Sequence, residues 1–471
     1  MERLTAPDAW FLYLESATMP LHVTGLLLLD PSTAPKGFSF DQLRRHVDGR
    51  LDAMPMLRRR LVEVPAAIDH ACWIEDPEFD LDRHVHRHVL SGAGTERELA
   101  AFIGGYSSVR LNRKFPLWDM VVVEGLDDGN VALVMKMHHC IVDGVTGMTM
   151  MGSLMDLTPK PKRPRRHSDW TPERVPGSRE VIASATWHRL TTPMRPVRAV
   201  VDVSSSLARL AGTAAWRRIS GAEAAAHPLN APRTCVNGSI TARRAVAFDR
   251  RPIEDFKAIR SAFGVTINDV VLAACTFGLR RHLEVNDRVP DRPLVCSVPV
   301  STHGHDRADR SSNQVSDMFV HLPVQLADPV AQLRSIHTGS LGAKQLHESI
   351  GTDMIRDVIE LVPATIFHLV TRLYSMTGLA SRLAPVHNVI VSNVIGSPVK
   401  LFLAGAEVVG MFPFGPLIEG SGLNITVLSN NGEMNFGLIA CPDLVADFEG
   451  LLDNIGEGID ALLEAAVSQP R

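Results

Sequence analysis

The sequence predicts an α/β protein of two domains, each a mixed sheet flanked by helices. Three observations lead there. At 471 residues the chain is too long for one ordinary hydrophobic core and fits two units of about 200 residues with connecting material. Strand-like and helix-like segments alternate in both halves, the pattern of sheets covered by helices. Between the halves lies Thr158 to Arg179, TPKPKRPRRHSDWTPERVPGSR, whose closely set prolines and basic residues suit neither helix nor sheet. The expected division is an N-terminal domain over 1–157, a linker and partly helical crossover over 158–231, and a C-terminal domain over 232–471.

In the first half, Leu21 to Leu29 reads as a strand and Phe40 to Leu51 as a helix opened by Asp41. Thr95 and Glu98 have the capping-box spacing in which each side chain serves an orphan backbone N–H, so a helix starts there. Val121 to Glu124 and Val131 to Met137 flank an Asp-Asp-Gly-Asn run, which is hairpin chemistry. The second of these strands runs into His138-His139-Cys140-Ile141-Val142-Asp143-Gly144, and Val145 to Asp156 then reads as helix. The second half offers strands at Ser239–Phe248, Leu294–Pro299, Met318–Val324, Asn388–Asn393, Leu423–Leu428 and Met434–Ile439. Helices are expected at Pro252–Phe263, Thr266–Val285, Pro329–His347, Asp353–Ala384 and Asp443–Ala466.

A net charge of −4 argues against nucleic acid as the partner, since neutralising phosphates needs a basic excess. The six cysteines form no CxxC pair and several sit in apolar runs, as reduced core thiols in a reducing compartment do; the expected location is cytoplasmic. Met1 to Asp8 lacks the basic start and apolar stretch of a signal peptide. No run reaches the roughly 20 apolar residues of a membrane span, Val358 to Leu383 being broken by Glu360, Pro363, His368 and Arg372. The segments suited to resting on a lipid surface are the basic Lys160–Arg166 and the apolar Ile355–Leu383; a solvated linker and a core helix are the competing readings.

The residues that carry chemistry are His138 to Gly144. A histidine at the end of a buried strand is held by a rigid element, and Asp143-Gly144 makes a turn that glycine tolerates. Adjacent strand side chains point to opposite faces, so one histidine is expected to be chemical and the other structural. Two structural histidines are the bland alternative. His84, His86 and His88 alternate as metal ligands on a strand would, but without cysteine support; no metal is expected. No GxSxG elbow occurs, and Cys140 has no base of its own for an acyl-cysteine route.

With its spacing HHxxxDG, the chain resembles the wax ester synthase/diacylglycerol acyltransferase family, within the CoA-dependent acyltransferase fold of chloramphenicol acetyltransferases and peptide-synthetase condensation domains. Further blocks carry the resemblance in order: Leu4–Trp10 with Pro20-Leu21-His22-Val23, Trp73-Ile74 with Phe79-Asp80-Leu81, Pro116-Leu117-Trp118, and Asn268-Asp269. Then come Ser312-Asn313-Gln314-Val315-Ser316, Ser392-Asn393-Val394-Ile395-Gly396 and Gly422-Leu423-Asn424-Ile425. Asn112 stands where the family usually has Asp, and Ser397 where it often turns with Gly-Pro.

The resemblance implies two chloramphenicol-acetyltransferase-like domains with an active-site channel at their interface. It implies acyl-CoA as co-substrate with no bound cofactor, and diacylglycerol or a long-chain alcohol as acceptor, esterified in a ternary complex. It also implies contact with the inner membrane or lipid droplets. His139 becomes the general base, with His138, Asp143, Gly144 and Asp269 holding the motif loops. Asn268 becomes either the oxyanion donor or a tie between helix and strand. Pro116, Leu117 and Trp118 become channel wall, a core tryptophan being the equal alternative for Trp118, with Asn393 and Gly396 at a strand–loop crossing near the interface, where a merely structural turn serves as well. The chemistry agrees: an alcohol cannot attack a thioester at useful rate unless a base takes its proton, and a placed base is worth roughly 10²- to 10⁴-fold. Two rivals stand beside this reading. One is a glycerophosphate-type acyltransferase with an Asn-His-x4-Asp motif, although Met137 occupies the Asn position. The other is a lipid-binding or droplet-coating protein without turnover.

Overall fold

The computed structural model describes residues 1–65, 68–141, 144–160, 170–191, 226, 230–301, 315–350 and 379–468. Two six-stranded mixed sheets dominate it. The first runs β12 (Phe402–Leu403), β13 (Ala406–Phe414), β2 (His22–Asp30), β7 (Val131–His138), β6 (Trp118–Glu124) and β5 (Val85–Val89), antiparallel except between β5 and β6. The second runs β10 (Val315–Leu322), β9 (Leu294–Ser301), β11 (Val389–Ile395), β14 (Leu423–Asn430), β15 (Glu433–Ala440) and β8 (Ala245–Pro252), with β11 parallel to both neighbours. A small sheet of β1 (Glu2–Arg3), β4 (Cys72–Glu75) and β3 (Arg59–Val62) stands beside the first.

The described α-helices are α1 (Ala6–Leu14), α2 (Phe40–Asp48), α3 (Glu96–Ser108), α4 (Gly144–Leu154), α5 (Ser178–Thr191), α6 (Ile253–Phe263), α7 (Ile267–Asn286), α8 (Pro329–Ile350) and α9 (Phe448–Val467). The capping box at Thr95 and Glu98 forms as its spacing predicts, and a second forms at Thr266 and Asp269. Ser39, not Asp41, caps α2. The helix expected over Asp353–Ala384 lies almost wholly outside the described residues, as does most of Lys160–Arg166. No single helix among the described residues is long and apolar enough to cross a membrane.

Alternation sorts the first sheet's side chains cleanly. Leu27, Leu29, Trp118, Met120, Val122, Leu133 and Met135 face α2, whereas Leu26, Val121, Val123, Ala132 and Val134 face the second half. The latter group shares one buried cluster with Ile240, Val246, Phe248, Phe412, Phe414 and Ile439, so the interface between the halves is itself hydrophobic core. Backbones approach closely there: a Cβ on Gly437 would lie 2.1 Å from the Pro413 carbonyl oxygen, and one on Gly104 2.6 Å from that of Arg244.

Two sequence expectations change. Residues 402–414, assigned with 232–471, complete the first half's sheet, because β13 pairs antiparallel with β2 along nearly its whole length. Its sequence AEVVGMFPF hides the strand: Gly410 follows a register shift and Pro413 reads as a strand breaker. The three alternating histidines do not share a face. His84 precedes the strand, buried between Phe79 and Trp118, with its Nδ1 2.9 Å from the Trp118 carbonyl oxygen. His86 pairs with Asp119, and His88 stacks on Phe102. All six cysteines are free thiols and five are buried.

Candidate active site

Strand β7 is central, and at its end the chain bonds alternately to both sides. The His138 N–H donates to the Leu117 carbonyl and the His139 N–H to the Leu21 carbonyl, each at 2.9 Å. The strand then stops in a tight turn in which the Ile141 N–H returns to the His138 carbonyl at 3.0 Å. Because pairing ends at His138, alternation no longer separates the two rings, and both meet α1. The half-buried His139 ring stacks on Phe11, centroids 3.9 Å apart and planes 20° apart. His138 is 1% exposed, and its Nδ1 accepts the Cys140 N–H at 3.1 Å. An Nδ1 that accepts carries no proton, so the neutral ring holds its hydrogen on Nε2. Burial, then the Arg113 guanidinium, push the His138 pKa well below the ordinary range and keep the ring neutral.

A buried charged group lies against this turn. Glu15, at the C-cap of α1, has one carboxylate oxygen in the Arg113 fork, at 2.9 Å from Nε and 2.5 Å from Nη2. Its other oxygen is 3.8 Å from His138 Nε2. Arg113 also donates to the Leu12 carbonyl and to Glu63. His22, opposite His138 across the β2–β7 pair, is tied to the Ser107 carbonyl oxygen at 2.8 Å. Burial pushes its pKa down to about 3.

The other expected site residues divide. Asp143 lies outside the described residues, as does Ser312–Gln314, while Gly144 opens α4. Asn268 stands in the first turn of α7, part-exposed and without a side-chain hydrogen bond among the described residues. Asp269 is structural: its carboxylate receives the Thr266 N–H at 2.9 Å and sits 2.8 Å from His337 Nδ1. The channel-wall role expected of Trp118 gives way to a core role. Its ring is buried against His84, and Nε1 donates to the Leu57 carbonyl at 2.7 Å, so no face is left for a substrate. Pro116 and Leu117 are buried too, and Leu117 packs with Cys140 and Ile141 beneath the motif. Asn393 is part-buried on β11. Just after that strand the Gly396 N–H donates to the Ser429 carbonyl at 2.9 Å, and a Cβ there would come within 2.3 Å of the same oxygen. Burial raises the Cys140 thiol pKa well above its usual range, which disfavours a thiolate nucleophile.

Phe11, Glu15 and Arg113 were not found from the sequence. One signal was present: Thr5 and Asp8 have the spacing used to find the helix at Thr95, and Thr5 indeed caps α1. Among the described residues no group of His, Cys, Asp and Glu could hold a metal ion. A groove of about 510 Å³, lined by residues including Phe38, Arg87, Glu124 and Val131, lies at the start of β7, the end of the strand opposite His139.

The sequence profile of the wax ester synthase/diacylglycerol acyltransferase catalytic domain matches residues 4–271, and that of the family's C-terminal domain matches 311–463. The chain belongs to the wax ester synthase/diacylglycerol acyltransferase family. A relative in Mycobacterium tuberculosis strain CDC 1551, named provisionally as a diacylglycerol O-acyltransferase, is 36% identical, covering 100% of this chain and 92% of its own. Another from the same strain, so named as well, is 32% identical over 97% of this chain and 98% of its own. The solved wax ester synthase/diacylglycerol acyltransferase of Marinobacter aquaeolei VT8 superposes with a TM-score of 0.70 at 27% identity, over 99% of this chain and 100% of that one. The first condensation domain of the calcium-dependent antibiotic synthetase shares the fold, with a TM-score of 0.58 at 14% identity, over 99% of this chain and 96% of that one. The family membership makes this protein an acyltransferase of that type, with the two-domain acyltransferase fold.

Proposed function

We propose that the protein transfers the acyl group of a fatty acyl-CoA to the free hydroxyl of diacylglycerol, forming triacylglycerol, with His139 as general base in a ternary complex. The observation that carries this reading is the contrast within the motif. His139 is partly accessible at the end of a rigid central strand, while His138 is sealed beneath it and spent on the turn. In the step, His139 takes the hydroxyl proton as the oxygen attacks the thioester carbonyl. The tetrahedral oxyanion collapses, the C–S bond breaks, and the proton passes to the CoA sulfur. Asn268 is the donor assigned to the oxyanion. A starter condensation domain of this fold, 13% identical with a TM-score of 0.55, was solved in complex with C8-CoA, which supports an acyl-CoA site in such a scaffold. The names of the mycobacterial relatives favour diacylglycerol as acceptor, and the Marinobacter relative's name adds wax esters.

The test is incubation of the purified chain with labelled palmitoyl-CoA and either diolein or hexadecanol. Triacylglycerol formation is expected. Palmityl palmitate alone would move the acceptor to long-chain alcohols, acylation of glycerol 3-phosphate would favour the rival class, and no ester with any acceptor would overturn the reading.

A further inference from the structure

We propose that the Arg113–Glu15 ion pair, whose carboxylate is buried, is a positioning unit for His139, acting through His138. The proposal rests on the reading of His139 as the base. Phe11 and Glu15 are one helical turn apart and present one face of α1 to the motif. Phe11 covers the His139 ring at 3.9 Å, and Glu15 faces the His138 ring.

The chain of contacts is directional. Arg113 fixes one oxygen of Glu15 through two N–H groups. Among the described residues the second oxygen has no hydrogen bond and lies 3.8 Å from His138 Nε2, which has none there either. An ionised carboxylate on that side favours the tautomer with hydrogen on Nε2, leaving Nδ1 bare to accept the Cys140 N–H. That bond sets the peptide directly after His139, so the tautomer of the first histidine fixes the orientation of the second. A neutral hydrophobic filling would serve packing equally well at lower desolvation cost, so packing alone does not account for a 3%-exposed carboxylate here.

The pair also sets the local field. Asp8 and Glu15 face the turn from α1, His22 from β2, Arg113 from the segment after α3, and Cys140 from the turn itself. Glu63 touches the far side of the guanidinium, and Lys136 acts on His22. With both members present the pair is neutral overall; removing either leaves an uncompensated charge beside the His138 imidazole.

The experiment is the pH profile of kcat/KM for palmitoyl-CoA with diolein, for Glu15→Gln, Arg113→Gln and the double variant, alongside thermal midpoints. Glu15→Gln leaves a cation that favours neutral imidazole, so the acid limb should move to lower pH by about 0.5–1 unit. Arg113→Gln leaves an anion and should move it up by a similar amount, and the double variant should return it to the wild-type position. A role in packing alone would lower the midpoints without opposite shifts of the limb. Folded single variants whose limbs stay put, or move the same way, overturn the proposal. If a single variant does not fold, the wild-type chain decides by the ¹⁵N shifts of the His138 ring: hydrogen on Nε2 supports the proposal and hydrogen on Nδ1 overturns it. His139→Ala runs in parallel. Full activity there would sink the base assignment itself, whereas its loss together with unmoved limbs would sink only the positioning unit.

Discussion

The two sheets tie their strand ends by different chemistry. Where β7, β2 and β6 meet under the histidine motif, the groups are ionisable: the buried His22, His138 and Glu15, with the part-exposed Arg113. Where β9, β11 and β14 begin, the ties are neutral amides. Asn388 receives the Val295 N–H at 2.8 Å and donates to the Pro232 carbonyl at 2.5 Å and to Asn237 Oδ1 at 2.7 Å; Asn237 donates on to the Gly420 carbonyl at 3.0 Å. Amides hold a chain crossing without responding to pH or placing a field on their neighbours. Paired charges cost more to bury and do both.

That contrast can be broken in order of expected effect. His139→Ala should lower kcat at least about 10²-fold with an unchanged thermal midpoint, while His138→Ala should mainly lower stability or soluble yield. Equal catalytic losses in two equally stable variants would erase the distinction between the rings. Asn388→Ala orphans the Val295 N–H and the buried Pro232 carbonyl, while Asn237 Oδ1 keeps the Thr234 hydroxyl, and should cost about 2–3 kcal/mol in urea unfolding while sparing kcat per folded molecule. A kcat loss beyond the unfolded fraction would show that the second sheet's ties are also catalytic.

Acid should act on the first group. His22 has its folded pKa near 3 against 6.5 for the free side chain, so between those values the unfolded chain binds a proton that the folded chain refuses. Its contribution is intact above pH 6.5 and is lost as pH falls towards 3. The urea midpoint should therefore drop from pH 7 to pH 4, and less so in His22→Gln; identical drops would rule His22 out as a source. The smallest effect has the same sign and lies at alkaline pH. Burial holds Lys136 at about 8 against 10.5, where its ammonium caps α3 through the Tyr106 and Val109 carbonyls. From pH 8 to 10.5 the unfolded chain keeps a proton that the folded chain has shed, so stability gains a rising term there. Lys136→Met should flatten it in the same urea series.

What could be read from the sequence follows from how local each signal is. The hairpin of β6 and β7 lies within one turn and carries its own Asp-Gly chemistry, and the helix at Thr95 carries its own cap, so both emerge from a short window. Strand β13 does not, since its partner β2 is far along the chain and its Gly410 and Pro413 are tolerated only because that partner exists. The motif histidines were visible from spacing. Their different surroundings include Glu15 and Arg113, which meet only after α1 folds onto the turn, so no single window of sequence contains that arrangement. Trp118 stays open between channel wall and core in the sequence, because a tryptophan beside a motif gives no sign of where its N–H will go.

The strand lent by the second half bears on how the protein is made. The Glu407 N–H bonds Thr33 Oγ1 across 374 residues. At about 5–20 residues per second, a ribosome needs roughly 20–75 s to supply that partner after Thr33 has emerged. Until then β2 presents a long apolar edge with unpaired N–H and C=O groups, a template for pairing with another nascent chain. Biogenesis is thus the most aggregation-exposed stage in the life of this molecule, and a chain truncated before residue 402 keeps that edge permanently.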